Sequence, residues 1–232
     1  MLWMVLTPLL MLALYTFVFG FVFGGTFGVA NESRLDYALA VFVGLVAFHF
    51  LAEVLSTSSG LIVSNPNFVK KVVFPLEILP ASAVLAAAGT AGVSLVLALL
   101  GVAFVGPGIS LAWLQLLLIL PALGLLALGC AWLLAALGVF LRDTSSVMPF
   151  FVQIVLYTSA VFYPLGTIPA WAWTYLRFNP LLHTVNLLRQ TLLWQQPLEP
   201  SHLAFTWATG VAAAVVGYFV FTRAKPAFAD VL

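Results

Sequence analysis

Two ionisable residues stand inside an otherwise apolar run. His49 and Glu53 lie in the stretch 38–59, one helical turn apart, with Ser56 and Thr57 a further turn on. Ionisable groups at membrane depth are costly and usually face protein or a water-filled cavity. A His–Glu pair at this spacing could relay protons, or it could make a structural hydrogen bond between helices. No acidic residue on another apolar run continues a relay. His49, His183 and His202 fall on separate segments without metal-ligand spacing, so no metal site is expected. The single cysteine, Cys130, excludes an intramolecular disulfide and a Cys-rich metal site. A phosphate loop of the form G-x-x-x-x-G-K-[ST] is absent, since Lys70, Lys71 and Lys225 all stand in other contexts. No nucleophile–base arrangement or paired acidic motif appears either. The chain is therefore not expected to be an enzyme or to carry a cofactor; any ATP and Mg would be bound by another chain.

These residues are positioned by a chain of 232 residues that is 64% hydrophobic and 6% charged, against about 45–50% and about 25% in soluble domains. Eight Lys plus Arg and seven Asp plus Glu cannot make a soluble surface. Nor can the apolar excess all be core, because a domain of this size still exposes much of its side-chain surface. The solvent is lipid. A formal charge of +1 argues against nucleic-acid binding, which needs clustered cations. Long apolar runs exclude disorder. A secretory signal peptide is not expected, since Met1-Leu2-Trp3 lacks a charged n-region.

An apolar stretch of about 20 residues crosses the hydrocarbon as a helix, and about six are found here. They run over 3–23, 38–59, 79–104, 112–140, 147–165 and 203–222, in one transmembrane domain covering 1–232. The runs are too long and too uniformly apolar for the strands of a membrane barrel. The expected fold is thus an all-α integral membrane protein. Lys70, Lys71, Arg142, Arg223 and Lys225 would lie on one side, Arg34, Arg177 and Arg189 on the other. That bias puts the 60–77 and 141–146 loops and both termini in the cytoplasm.

Three segments carry more than apolar filling. In Ser64 to Glu77, Asn65 can cap a helix, Pro66 suits its first position and Pro75 stops it. This predicts a short helix over 65–73, outside the bilayer, serving either as a basic anchor or as a docking helix. After the fifth run, Tyr163-Pro164 and Pro169 break the helix, with Trp171 and Trp173 following. Asn179-Pro180 then starts an amphipathic helix. Leu181, Val185, Leu188 and Leu192 form its apolar stripe, with His183, Asn186 and Gln190 opposite and Arg189 between the faces. That pattern predicts a re-entrant or interfacial helix on the outer side, either a passive anchor or a lid over an exit path. The third span is rich in small residues from Ala86 to Gly92, which favours close helix packing.

The chain resembles the membrane-spanning permease of type-2 ABC exporters, in the branch that moves O-antigen and related cell-surface polysaccharides. The residues that carry the resemblance are Leu2-Trp3, Pro8 to Met11 and Tyr15 to Phe19. Ser64 to Lys71 follows, then Phe74-Pro75-Leu76-Glu77 with Pro80, and Arg142-Asp143. Ser159 to Pro164 with Pro169, and Asn179-Pro180 with Arg189, complete the set. Leu76 stands where the family usually has a basic residue, and Ala160 where it usually has proline. The family usually begins with an amphipathic helix and a basic segment before the first span, whereas the sequence given starts at the span itself with Leu2-Trp3.

The resemblance implies a homodimer of six-span subunits in a bacterial inner membrane, with two ATP-binding subunits docked on the cytoplasmic loops. Asn65, Pro66, Asn67, Phe68, Lys70, Lys71, Phe74, Pro75, Glu77, Arg142 and Asp143 would couple to those partners. The cargo would be a lipid-linked glycan moved through an aromatic channel; the alternatives are a permease of the same type for a drug, lipid, teichoic acid or capsule, and a proton-coupled secondary transporter. Tyr15, Phe19, Tyr157, Phe162 and Tyr163 are the channel candidates, although an interfacial belt facing membrane lipid would use the same residue types. Trp171, Asn179, Pro180, His183, Asn186, Arg189 and Gln190 would form an outer gate.

Overall fold

The computed structural model describes residues 2–22, 24–29, 32–70, 74–141 and 143–231; for residues 2–5, 12, 20 and 70 it describes the backbone only. All regular elements among the described residues are helical. Helix α1 (Leu2–Tyr15) continues into a π-helical segment, Thr16–Val22. Helix α2 (Arg34–Ser58) starts at a capping box, in which Ser33 accepts from the Asp36 amide and Asp36 accepts from the Ser33 amide. That box satisfies two amides the first turn would otherwise leave bare. The short α3 (Pro66–Lys70) begins on its proline. Helix α4 (Ile78–Phe104) is followed by a 3-10 turn (Leu111–Gln115) and α5 (Leu116–Phe140). Next come α6 (Thr144–Thr158), α7 (Ala170–Leu176) and α8 (Pro180–Leu192). Helix α9 (Pro200–Ala224) and the terminal α10 (Phe228–Val231) close the chain.

Among the described residues four helical stretches are long and apolar enough to cross a membrane: Arg34–Ser58, Ile78–Phe104, Leu111–Phe140 and Pro200–Val231. The expected third, fourth and sixth runs fall within them, and the second does so up to Ser58. Helix α6 departs from expectation. It has 15 residues, about 22 Å at 1.5 Å per residue, short of a hydrocarbon core of about 30 Å. The run expected over 147–165 therefore breaks at Ser159. Ala160 takes a left-handed backbone, φ 52°, which a continuing helix cannot hold.

Helix α2 is the centre of the fold: Tyr37 to Phe48 are all buried, and α1, α4, α5, α6 and α8 pack against it. Helices α4 and α9 turn most of their apolar surface outward, as lipid-facing helices do. The broadest helix pair is α5 with α9. A side chain at Gly129 would run into the Ala213 backbone, and one at Gly217 into the Gly129 carbonyl. Such close approach relies on glycine, because lipid supplies no hydrophobic drive to bring helices together. The main apolar core surrounds α2. A second, smaller core joins the 59–77 loop to the last turns of the chain. These two ends are called below the break end (residues 159–179) and the loop end (residues 59–77).

Candidate functional site

At the break end, α6 stops at Thr158 and the chain runs through buried residues, Ser159 to Phe162, whose carbonyls must find donors. Asn179 supplies one: its Nδ2 donates to the Thr158 carbonyl at 3.1 Å and to Ser159 Oγ at 3.0 Å. Its Oδ1 accepts from the Leu181 amide at 3.0 Å and so caps α8, with Pro180 at the first helical position. Arg189, 2% exposed, supplies three more. It donates from Nη1 to the Ala160 carbonyl (2.8 Å), from Nη2 to Val161 (2.5 Å) and from Nε to Ala40 of α2 (2.8 Å). Tyr37 of α2 donates its hydroxyl to the Phe162 carbonyl at 3.0 Å. Carbonyls at 158, 160, 161 and 162 are thus all taken by side chains from α2 and α8, or by Asn179 just before α8.

Among the described residues no carboxylate pairs with Arg189. The guanidinium is balanced by carbonyl dipoles and by the Phe27 ring, 4.2 Å away. Phe27 is held there by its amide, which donates to the Glu32 carboxylate at 2.8 Å. Gly44 leaves the room, since a methyl at that position would stand 2.8 Å from Arg189 Nη2.

This scaffold presents aromatic rings. Phe162 stacks on Phe19 with centroids 4.3 Å apart, meets Tyr15 at 5.1 Å and approaches Tyr157 at 6.2 Å. Tyr163 donates its hydroxyl to the Tyr157 carbonyl. The five channel candidates therefore lie together, from the end of α1 and its π segment and from both sides of the α6 break. Tyr157 is exposed and Phe162 buried, so the cluster has an open edge and a fixed back.

The polar face expected on α8 is not open. His183 and Asn186 are buried and Gln190 is partly so. The His183 ring stands 4.5 Å from that of His202 and 4.8 Å from that of Phe205, both on α9, and its Nε2 is 2.7 Å from the Arg177 carbonyl. Thr191 meets Gln115 of the 3-10 turn at 3.3 Å. The physical reason is that α9 and the 3-10 turn cover the side opposite α2. Leu182 and Leu187, both fully buried, lie off the predicted stripe and show that the helix is apolar on more than one face. Arg189 likewise points into the interior and not between two faces. Trp171 is exposed on α7, as an interfacial ring would be.

At the loop end, Pro66, Asn67 and Phe68 of α3 are exposed. The helix covers Pro66–Lys70 of the 65–73 expected; Lys71 and Arg142 lie outside the described residues, as does the side chain of Lys70. Asn65 turns away from the helix start, donating its Nδ2 to the Leu61 carbonyl at 2.9 Å. The Phe68 and Phe74 rings lie 5.0 Å apart, across the bend that ends at Pro75. Glu77 pairs with Lys225 at 2.9 Å, and its carbonyl accepts from Trp132 Nε1 at 3.1 Å. Burial pushes the Glu77 carboxyl up, but the Lys225 hydrogen bond and charge, with its own amide, outweigh this and hold it below the usual range. Asp143 makes no side-chain cap for α6.

Between the two ends, His49 and Glu53 stand out from the buried face of α2. Both line a cavity of ≈ 530 Å³ between α1, α2 and α4, with Thr7, Ser56, Thr90 and Ser94. Among the described residues no three His, Cys, Asp or Glu side chains cluster with metal-binding geometry. Sequence reasoning passed over Phe27, Tyr37, Ala40 and Gly44 at one end, and Trp132, Lys225 and Phe228 at the other. Arg189, a lone cation in a leucine-rich segment, was the available signal for the first group. The second group carried none.

The sequence itself aligns with known proteins along its length. A family model described as ABC-2 type transporter matches residues 1–193. The chain is 26% identical over 236 aligned positions to an O-antigen export system permease protein RfbA of Klebsiella pneumoniae, covering 100% of this chain and 86% of that protein. It is 28% identical over 196 positions to a polysialic acid transport protein KpsM of Escherichia coli, covering 83% of this chain and 73% of that one. With the family's pattern running through most of the sequence and apolar helices arranged around a central one, the chain belongs to the ABC-2 type transporter family.

Proposed function

We propose that this chain is the membrane subunit of an exporter that moves a lipid-linked, O-antigen-like polysaccharide outward across a bacterial inner membrane. ATP hydrolysis on a separate subunit would drive it. The observation that carries the reading is the alignment of the whole chain with a relative named as an O-antigen export permease. Capsular polysaccharide is the second cargo reading, favoured by the similarity to the polysialic acid transport protein.

In this reading the loop end is cytoplasmic, the break end faces outward and both termini lie inside. The protomer has six membrane passes, with α1 and α6 as the short ones, and works as a homodimer with two ATP-binding subunits. Those subunits dock on α3, whose exposed Pro66, Asn67 and Phe68 offer a small rigid knob. Motion there reaches the break end through α2, whose 25 residues make a rod of about 37 Å. At its far end that rod holds Tyr37 and Ala40 against the α6 break. A shift of α2 therefore moves the aromatic cluster. Aromatic faces suit the C–H surfaces of sugars and bind them without deep wells, so a polymer can slide past Tyr15, Phe19, Tyr157, Phe162 and Tyr163.

The test is purification of the native complex, followed by mass analysis of its chains and bound lipids. An ATP-binding chain and a polyprenyl-linked glycan should both be present. Cells lacking this chain should lose surface polysaccharide while lipid-linked glycan accumulates inside. Unchanged surface polysaccharide would refute the cargo.

A further inference from the structure

The 59–77 loop does not hold itself. Helix α3 is described over five residues, far too few to be stable alone. Among the described residues the side-chain hydrogen bonds inside the loop are local, from Ser64 to Gly60 and from Asn65 to Leu61, and its long-range support comes from two places. One is α5, where the Ser59 backbone lies against Gly138 and Trp132 donates to the Glu77 carbonyl. The other is the stretch Lys225–Val231. Phe228 is fully buried in the small core that takes Ile62 from the start of the loop and Leu76 from its end. Val69 of α3 and Phe74 pack against the same core. The Phe228 ring lies 5.5 Å from Phe221 on α9 and 6.0 Å from Phe140 on α5. Lys225 closes the arrangement by donating to Glu77 at 2.9 Å.

We propose that Lys225–Val231 is a strut of the energy-coupling apparatus: through Lys225 and Phe228 it fixes the 59–77 loop in its docking position and passes load from α3 into α9. Lys225 and Phe228 are positioning residues, since neither lies on the exposed side of α3. This role rests on the reading that an ATP-binding subunit docks on the loop. A strut of this kind makes the start of α4, the loop and the end of α9 move as one body. Without it, α3 would yield under load, and ATP hydrolysis would continue without moving α2.

The experiment has two arms. In the permease alone, hydrogen exchange over residues 61–69 is compared among wild type, Lys225→Glu, Glu77→Lys and the double exchange. Each single reversal should raise exchange by up to about fivefold, the scale of a partly exposed ion pair, and the double exchange should restore protection. In the complete exporter, Lys225→Glu should keep ATP hydrolysis but lower export per ATP by about tenfold, within the usual range of coupling between sites, and Glu77→Lys should lower export per ATP as well. The double exchange and Lys225→Arg should recover most of it, and Phe228→Leu should export better than Phe228→Ala. Unchanged exchange in the single variants, or a double exchange that exports no better than either single, would overturn the strut. If the wild-type permease carried no ATP-binding chain, the exporter reading and the coupling role would fall together, while the exchange arm would still show whether the strut holds the loop.

Discussion

The two ends of this protein hold their functional segments by opposite means. At the break end, a few buried side chains satisfy a few buried carbonyls, and there is no redundancy. Arg189 serves three acceptors from two separate places in the chain, α2 and the α6 break. At the loop end, a partly exposed ion pair, an indole donor and a small aromatic core share the work. The difference follows from the solvent. At membrane depth an unpaired carbonyl has no water to turn to, so the break survives only if every group is met. At the loop end water can replace any one contact, so the contacts are many and individually weak. One end is specified by single residues, the other by a sum.

The sharpest test of that contrast is Arg189→Ala. It strips the donors from Ala160 and Val161, while Ala40 keeps its place in the α2 ladder. Two orphaned acceptors at about 1–3 kcal/mol each predict a loss of about 2–6 kcal/mol, measured as unfolding of the purified protein in detergent or bilayer. Arg189→Lys should fall between, because an ammonium cannot span the three carbonyls as the guanidinium does. Asn179→Ala comes next. It removes a helix cap and the donor to Thr158, and should cost about 1–2 kcal/mol. If either substitution were neutral, the break end would not depend on single residues, and the contrast would collapse.

The sequence made much of this visible. Four of the six expected runs, the second, third, fourth and sixth, coincide with helices long enough to cross a membrane, because a length rule and near-total apolarity leave few alternatives there. Pro66 and Asn179-Pro180 marked helix starts because proline's missing donor costs nothing there. The stop of α6 was less legible. Tyr163-Pro164 advertises a break, yet the chain leaves the helix at Ser159, where Arg189 and Asn179 reward an early exit. A local rule places the break at the proline; the donors that move it lie 20 to 30 residues downstream. The orientation of α8 misled for a related reason. Its polar stripe has the spacing of an exposed face, but His202, Phe205 and Gln115 cover it, and all three belong to other elements. The Glu77–Lys225 pair, 148 residues apart, is invisible to any periodicity.

The loop end should answer to pH through the Glu77 carboxyl. The Glu77 carboxyl is held below the usual range, so its pairing with Lys225 is fully present at neutral pH. It is lost as pH falls below about 4.3, the ordinary glutamate value, and through the lowered value of the folded protein. The stabilisation at stake is under about 1 kcal/mol, because both groups are partly exposed. Glu77→Gln should remove this acid-sensitive part of stability and leave the rest of the profile unchanged. The same profile in an Asn179→Ala background should run parallel to wild type, because that substitution removes no titratable group and leaves the Glu77–Lys225 pair in place.

The smallest effect is expected on the rod that joins the two ends. Glu53 and His49 are one turn apart on α2, at the wall of the cavity shared with α1 and α4. If the two ends communicate mechanically through α2, the charge of Glu53 is incidental. Glu53→Gln keeps the shape and the hydrogen-bonding capacity of the side chain, and the residue is exposed. Its effect on stability should therefore stay within about 0.5 kcal/mol, and ATP-driven export should be close to wild type. If the two ends communicate through protons, the same substitution removes the carrier. Export would then stop while ATP hydrolysis went on, and an imposed proton gradient would drive export in wild type without ATP. The sequence offers no second acid to continue such a relay, and among the described residues the cavity wall adds only hydroxyls at Thr7, Ser56, Thr90 and Ser94. Hydroxyls can pass a proton along but cannot hold one at neutral pH. A rod that carries displacement needs no charge at its middle, and a near-silent Glu53→Gln beside a crippling Arg189→Ala is the pattern that a mechanical link requires.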